Sequence, residues 1–129
     1  MLEVVNRTRA RIPSVDITRI YRFVFPSGKM ELSVAFVGDA VMRTANKRYR
    51  GKDKTTDVLS FTLEKQLGEI LISIPKARAD ARAEHVPLKK KLEQLLIHGM
   101  LHITGYDHER SALDARRMQA RERRIAQKL

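Results

Sequence analysis

The stretch HGMLHITGYDH, residues 98–108, constrains this chain more than any other, because it holds three of its four histidines. His102 follows His98 by four residues, and His108 follows His102 by six. If a helix that begins near Pro87 continues through Ile103, His98 and His102 stand one turn apart on the same face. Leu95 lies three residues before His98, so that face points partly inward. Gly105 can end the helix, because it tolerates the left-handed conformation that a C-terminal turn favours. The chain then reverses, and His108 can return beside the first two rings. Two imidazoles at i and i+4 can hold one metal ion from neighbouring turns, and His108 supplies a third nitrogen. Three neutral nitrogens leave one tetrahedral position for water, the arrangement of a catalytic zinc site rather than a structural one. His85 has no such partners and reads as a loop residue near Pro87.

The remainder of the sequence has to build a scaffold around that helix. Leu2 to Val5 is a short apolar run, read as an opening strand. Ile17, Ile20, Tyr21 and Val24 fall at i, i+3, i+4 and i+7, a helical stripe, which Pro26-Ser27-Gly28 stops. Leu32, Val34 and Phe36 alternate with Glu31, Ser33 and Ala35, the period of a strand with one face buried. Asp39 is expected to cap a helix carrying Val41, Met42, Ala45 and Tyr49, broken by Gly51-Lys52-Asp53-Lys54. DVLSFTL (57–63) and EILISI (69–74) are β-rich, and the short segment between them suits a hairpin. Pro75 is expected to end the second of these strands, with KARADARAE (76–84) helical. Pro87 suits the first turn of the next helix, whose buried side is Leu88, Leu92, Leu95 and Leu96. Ser111 and Asp114 resemble a capping box that opens a last helix. The order is β-α-β-α-β-β-α-α-α. It predicts an α+β fold: a small mixed sheet of about four strands packed with about five helices, with the metal site at the end of a central helix. No linker or repeat divides residues 1–129, which read as a single domain.

Composition narrows the function. The chain has 129 residues, 43% hydrophobic and 32% charged, the profile of a globular protein with one core. No apolar run approaches the ~20 residues that cross a bilayer. The first residues lack the apolar stretch of a secretory signal. There are no cysteines, so a metal site must use His, Asp or Glu, and a cytoplasmic location is expected. The net charge of +11 points to a polyphosphate partner. Aromatic residues are only 5%, which argues against a base-stacking platform.

The histidine spacing also occurs in the metzincin proteases, H-E-x-x-H-x-x-G-x-x-H, whose catalytic glutamate would fall at residue 99. Residue 99 is glycine. Peptide hydrolysis in that class needs the carboxylate to move the water's proton to the leaving amine. Gly99 therefore argues against a peptidase.

HGMLHITGYDH closely resembles the signature H-G-x-L-H-L-x-G-Y-D-H of the YbeY family of rRNA-maturation endoribonucleases. Asn46, Tyr49 and Arg50, followed by TTDVLSF (55–61), resemble that family's N-x-x-Y-R…T-D-V-L-S-F block. Gly68-Glu69-Ile70 resembles its G-D-I strand, and Met118 with Glu122 resembles its C-terminal M-x-x-x-E helix. Ile103, Thr62 and Glu69 depart from the usual Leu, Pro and Asp. The resemblance implies a metal-dependent, single-strand-specific endoribonuclease acting in 16S rRNA 3′-end maturation and ribosome quality control. It implies one Zn²⁺ on His98, His102 and His108, and a functional role for Arg50. Its implied partners are single-stranded RNA, the rRNA precursor and the small ribosomal subunit, with no membrane.

A fixed guanidinium suits that chemistry, because it clamps a phosphate through two hydrogen bonds, which lysine cannot do. Asp107 either accepts a hydrogen bond from a ligand imidazole, as a usual outer partner does, or shapes the turn. Lys89-Lys90-Lys91 and the last helix, with Arg116, Arg117, Arg121, Arg123, Arg124 and Lys128, either track an RNA backbone or form solvated faces. Two rival functions stand beside the nuclease: a metallohydrolase of peptides or small molecules, and a non-catalytic ribosome-binding factor whose metal only staples the fold. An open fourth coordination position separates the nuclease from the second rival.

Overall fold

Period-two and period-3.6 hydrophobic patterns alternate along this chain, and each becomes the element its period dictates. The computed structural model describes residues 1–105 and 111–129. Among them run β1 (Leu2–Asn6), α1 (Ile17–Val24), β2 (Glu31–Val37), α2 (Asp39–Arg50), β3 (Val58–Glu64), β4 (Leu67–Ser73), α3 (Ile74–Glu84), α4 (Leu88–Ile103) and α5 (Ala112–Gln127). This is the expected α+β order. The four strands form one mixed sheet in the order β1-β2-β4-β3. β2 pairs in parallel with both β1 and β4, whereas β3 runs antiparallel to β4 through the Lys65-Gln66 turn.

Alternation along β2 and β4 divides the interior in two. Leu32, Val34, Phe36, Ile70 and Ile72 face one way and pack with Ile20 and Val24 of α1, Leu92, Leu96 and Met100 of α4, and Met118 and Ile125 of α5. Ala35, Val37, Leu59 and Leu71 face the other way, where Met42 of α2 covers them. Fully burying a Leu, Ile or Met side chain stabilises a fold by about 1.5–3 kcal/mol, so the first face supplies most of the driving force. Among the described residues no helix is long and apolar enough to cross a membrane.

Three boundary details differ from the sequence reading. Asp39 does not cap α2; Gly38 holds the cap position without a side-chain bond. The Asp39 carboxylate instead accepts from Ser73 Oγ at 2.8 Å and Thr55 Oγ1 at 3.2 Å, tying the start of α2 to β4 and to the loop before β3. Pro75 does not end β4 but sits in the first turn of α3, where proline's missing N–H costs no helical bond. The cap there is Ser73, which accepts from Lys76 N at 3.3 Å. Pro87 lies one residue outside α4, at its N-cap. His85 is the C-cap of α3, in the left-handed region at φ 58°.

Candidate metal centre

α4 is a single helix from Leu88 to Ile103, as the two-histidine spacing required. It buries Leu92, Leu95, Leu96, Met100 and Leu101, which fixes its rotation on the sheet. His98 and His102 then share a half-buried face, with ring centroids 4.9 Å apart and planes inclined at 68°. Thr104 closes the helix by donating its hydroxyl to Leu101 O at 2.7 Å. Gly105 follows at φ 108°, the turn conformation expected of it. His108 and Asp107 lie outside the described residues.

Gly99 explains why α4 can sit so close to the sheet. A Cβ there would fall 3.2 and 3.3 Å from Ile70 side-chain atoms and 3.4 Å from Val58 Cγ2. Residue 99 points into the core rather than at the histidine face, so a glutamate there would meet Ile70 and Val58 instead of water. The end of α4 uses the same device from the opposite partner. A Cβ on Gly68 of β4 would lie 2.9 Å from Ile103 Cδ1 and 3.3 Å from its Cγ2. Ile103, adjacent to His102, is thus seated against bare backbone.

A residue named in sequence only as part of a helix match touches His98. Glu122 Oε1 of α5 lies 2.9 Å from His98 Nδ1, both side chains being a little under one-third exposed. The signal was present in the stripe Met118, Glu122, Ile125. Met118 and Ile125 are fully buried against α4, and an acid between them at i+4 and i−3 must face the same seam.

Arg50 occupies the last turn of α2, which Gly51 closes in the left-handed region at φ 69° with its N–H on Lys47 O. The segment 51–57 then leads from Arg50 to Val58, the same residue that abuts Gly99. That segment is held at several points. Asn46 Nδ2 donates to Lys54 O at 2.9 Å, Arg43 Nε donates to Asp53 Oδ1 at 2.9 Å, and Ser73 N donates to Asp57 O at 2.9 Å. The Arg43 hydrogen bond and charge hold the Asp53 carboxyl below its usual range. Arg50 itself is exposed.

Glu69 is half-buried on the α2 side of the sheet, in a groove also lined by Arg7, Arg48, Tyr49, Phe61 and Leu71. Tyr49 stacks on Phe61 there at 4.6 Å. The two basic runs are divided by the fold. Lys91 is buried and pairs with Glu84 at 2.7 Å, so it leaves the lysine run to Lys89 and Lys90. Arg121 donates to Phe23 O at 3.5 Å, whereas Arg116, Arg117, Arg123, Arg124 and Lys128 are exposed.

Comparison with known proteins identifies the family and the fold. The family model described as Endoribonuclease YbeY matches residues 6–129. A Persephonella marina protein named Endoribonuclease YbeY is 40% identical across 69% of this chain, which spans 63% of that relative's length. One of the same name from Thermodesulfovibrio yellowstonii is 36% identical, with 99% of this chain and 96% of the relative covered. The solution structure of TM1509 from Thermotoga maritima superposes with a TM-score of 0.71 at 26% identity, covering 97% of this chain and 86% of that one. The chain belongs to the YbeY family.

Proposed function

We propose that this protein is a metal-dependent endoribonuclease that cleaves single-stranded RNA, with 16S rRNA 3′-end maturation and ribosome quality control as its setting. The rRNA precursor and the small ribosomal subunit would be its partners, and the cytoplasm its compartment. The observation that carries the reading is the pair of half-buried imidazoles on one face of α4, 4.9 Å apart, with a carboxylate against one of them. That donor set fits a nitrogen-preferring divalent ion, because neutral imidazoles bind zinc and an outer carboxylate orients the ring. His98 and His102 would hold one Zn²⁺ together with His108. When bound, the ion supplies the Lewis acidity that activates water near neutral pH.

The chain's own contribution is charge and position. Cleaving a phosphodiester requires neutralising charge that develops on the non-bridging oxygens, and an arginine does this by a two-point clamp. Arg50, at the end of α2 and joined to the α4 contact through segment 51–57, is assigned that task. The net charge of +11 draws a polyanion to the surface. Gly99 packs against Ile70 and Val58, so no proton-shuttling acid reaches the histidine face from that position of α4.

The test is cleavage of a single-stranded RNA, a duplex RNA and casein by zinc-loaded protein, with Arg50→Ala in parallel. Wild type is expected to cut only the single strand. Arg50→Ala is expected to lose about 10²–10³ in rate while its unfolding free energy stays within ~0.5 kcal/mol. Casein hydrolysis without RNA cleavage would overturn the assignment in favour of a peptidase. RNA binding without cleavage would favour the ribosome-binding factor.

A further inference from the structure

α5 carries two acids, Asp114 and Glu122, among five arginines, and the two sit in different environments. Asp114 is in the first turn, where its backbone N–H meets the Ser111 cap at 3.0 Å. Glu122 sits on the inner stripe between Met118 and Ile125, both fully buried. A carboxylate brought into such a seam loses hydration and requires a polar partner. Its partner is His98 Nδ1, at 2.9 Å.

From this contact we infer that Glu122 is the positioning residue of the metal centre: it keeps the His98 ring hydrogen on Nδ1 and so directs coordination through Nε2. A carboxylate accepts hydrogen bonds and donates none when ionised, so the shared hydrogen belongs to the imidazole. A neutral imidazole has one N–H, and a metal binds only the bare nitrogen. Engaging Nδ1 therefore fixes both the tautomer and the rotation of the ring. Glu122 lies 24 positions away in sequence from His98, whereas Asp107, the other acid that could orient a ligand imidazole, lies outside the described residues. Glu122 is delivered by the packing of α5 on α4. The inference rests on the proposed zinc site but concerns which nitrogen is used and what enforces it.

The experiment uses the full chain stripped of metal, as wild type, Glu122→Gln and Glu122→Ala. Three quantities are measured: zinc affinity by chelator competition, the thermal midpoint of each metal-free protein, and the hydrogen position on His98 by long-range nitrogen–proton NMR. Wild type is expected to carry the hydrogen on Nδ1. Glu122→Ala is expected to move it to Nε2, the form a free imidazole prefers, and to weaken zinc binding about 10- to 100-fold. Glu122→Gln, whose amide oxygen still accepts from Nδ1–H, is expected to recover part of that loss. If Glu122→Ala binds zinc as wild type does and loses only thermal stability, Glu122 is a staple between helices and the inference is wrong. A wild-type His98 with its hydrogen on Nε2 overturns it as well, even if the alanine variant does not fold. Failure of wild type to bind zinc at all would instead sink the proposed function, while the NMR measurement still decides whether Glu122 sets the tautomer.

Discussion

The two faces of the sheet are packed to different standards. On the α4 face, α4 lies on β3 and β4 with α1 and α5 packed against it in one core, and two glycines remove the side chains that would hold α4 away. On the α2 face, one helix covers four buried strand residues with its own Met42 and leaves a groove open beside it. The histidines belong to the close-packed face and Arg50 to the end of the thin one. A metal centre depends on ligand positions held to fractions of an ångström, whereas a phosphate clamp on an exposed arginine needs reach more than rigidity. The difference implies that substitutions near α4 act through packing, and those around α2 through surface charge.

Gly99→Glu tests that difference most severely. It would drive an unpartnered carboxylate between Ile70 and Val58, and the expected loss is about 4 kcal/mol or more of unfolding free energy. Denaturant unfolding measures it. A stable variant with new peptidase activity would show that residue 99 faces the histidines after all. Gly68→Ala is the milder probe of the same face. The added methyl would sit 2.9 Å from Ile103 Cδ1, and overpacking of this kind costs about 1–3 kcal/mol. Because Ile103 adjoins His102, zinc affinity should fall with stability. An unchanged affinity would mean that the end of α4 tolerates displacement. On the thin face the expectation is small. Asp53 is held below its ordinary value of 3.8 by Arg43, so its contribution is present above that pH and is lost as pH falls through the lowered value. Asp53→Asn should therefore be slightly less stable than wild type at neutral pH and equal to it in strong acid. A difference that persists in strong acid would assign the effect to something other than this charge pair.

Much of this architecture was legible beforehand because it is local. The stripe Ile17, Ile20, Tyr21, Val24 and the alternation of Leu32, Val34 and Phe36 each name an element through its period alone. The offset of four between His98 and His102 needs only one continuous helix to bring the rings together. What escaped was non-local or competitive. Asp39 looks like a cap, but Ser73 and Thr55 arrive from elsewhere in the fold and claim its oxygens. Pro75 reads equally as a strand's end or a helix's first turn, and the Ser73 cap decides for the helix. Lys91 belongs to a run of three lysines until Glu84 on the preceding helix buries it. Glu122 meets His98 only through the docking of α5 on α4, although an acid between Met118 and Ile125 was the trace of it.

The central claim is that three imidazoles hold one ion and leave a position for solvent. Zinc K-edge X-ray absorption on the metal-loaded full chain, with His108→Ala beside it, tests this directly. The expected wild-type spectrum shows three imidazole nitrogens and one oxygen from water, falling to two imidazoles in the variant. A shell of four protein ligands, or a spectrum that His108→Ala leaves unchanged, would contradict the account.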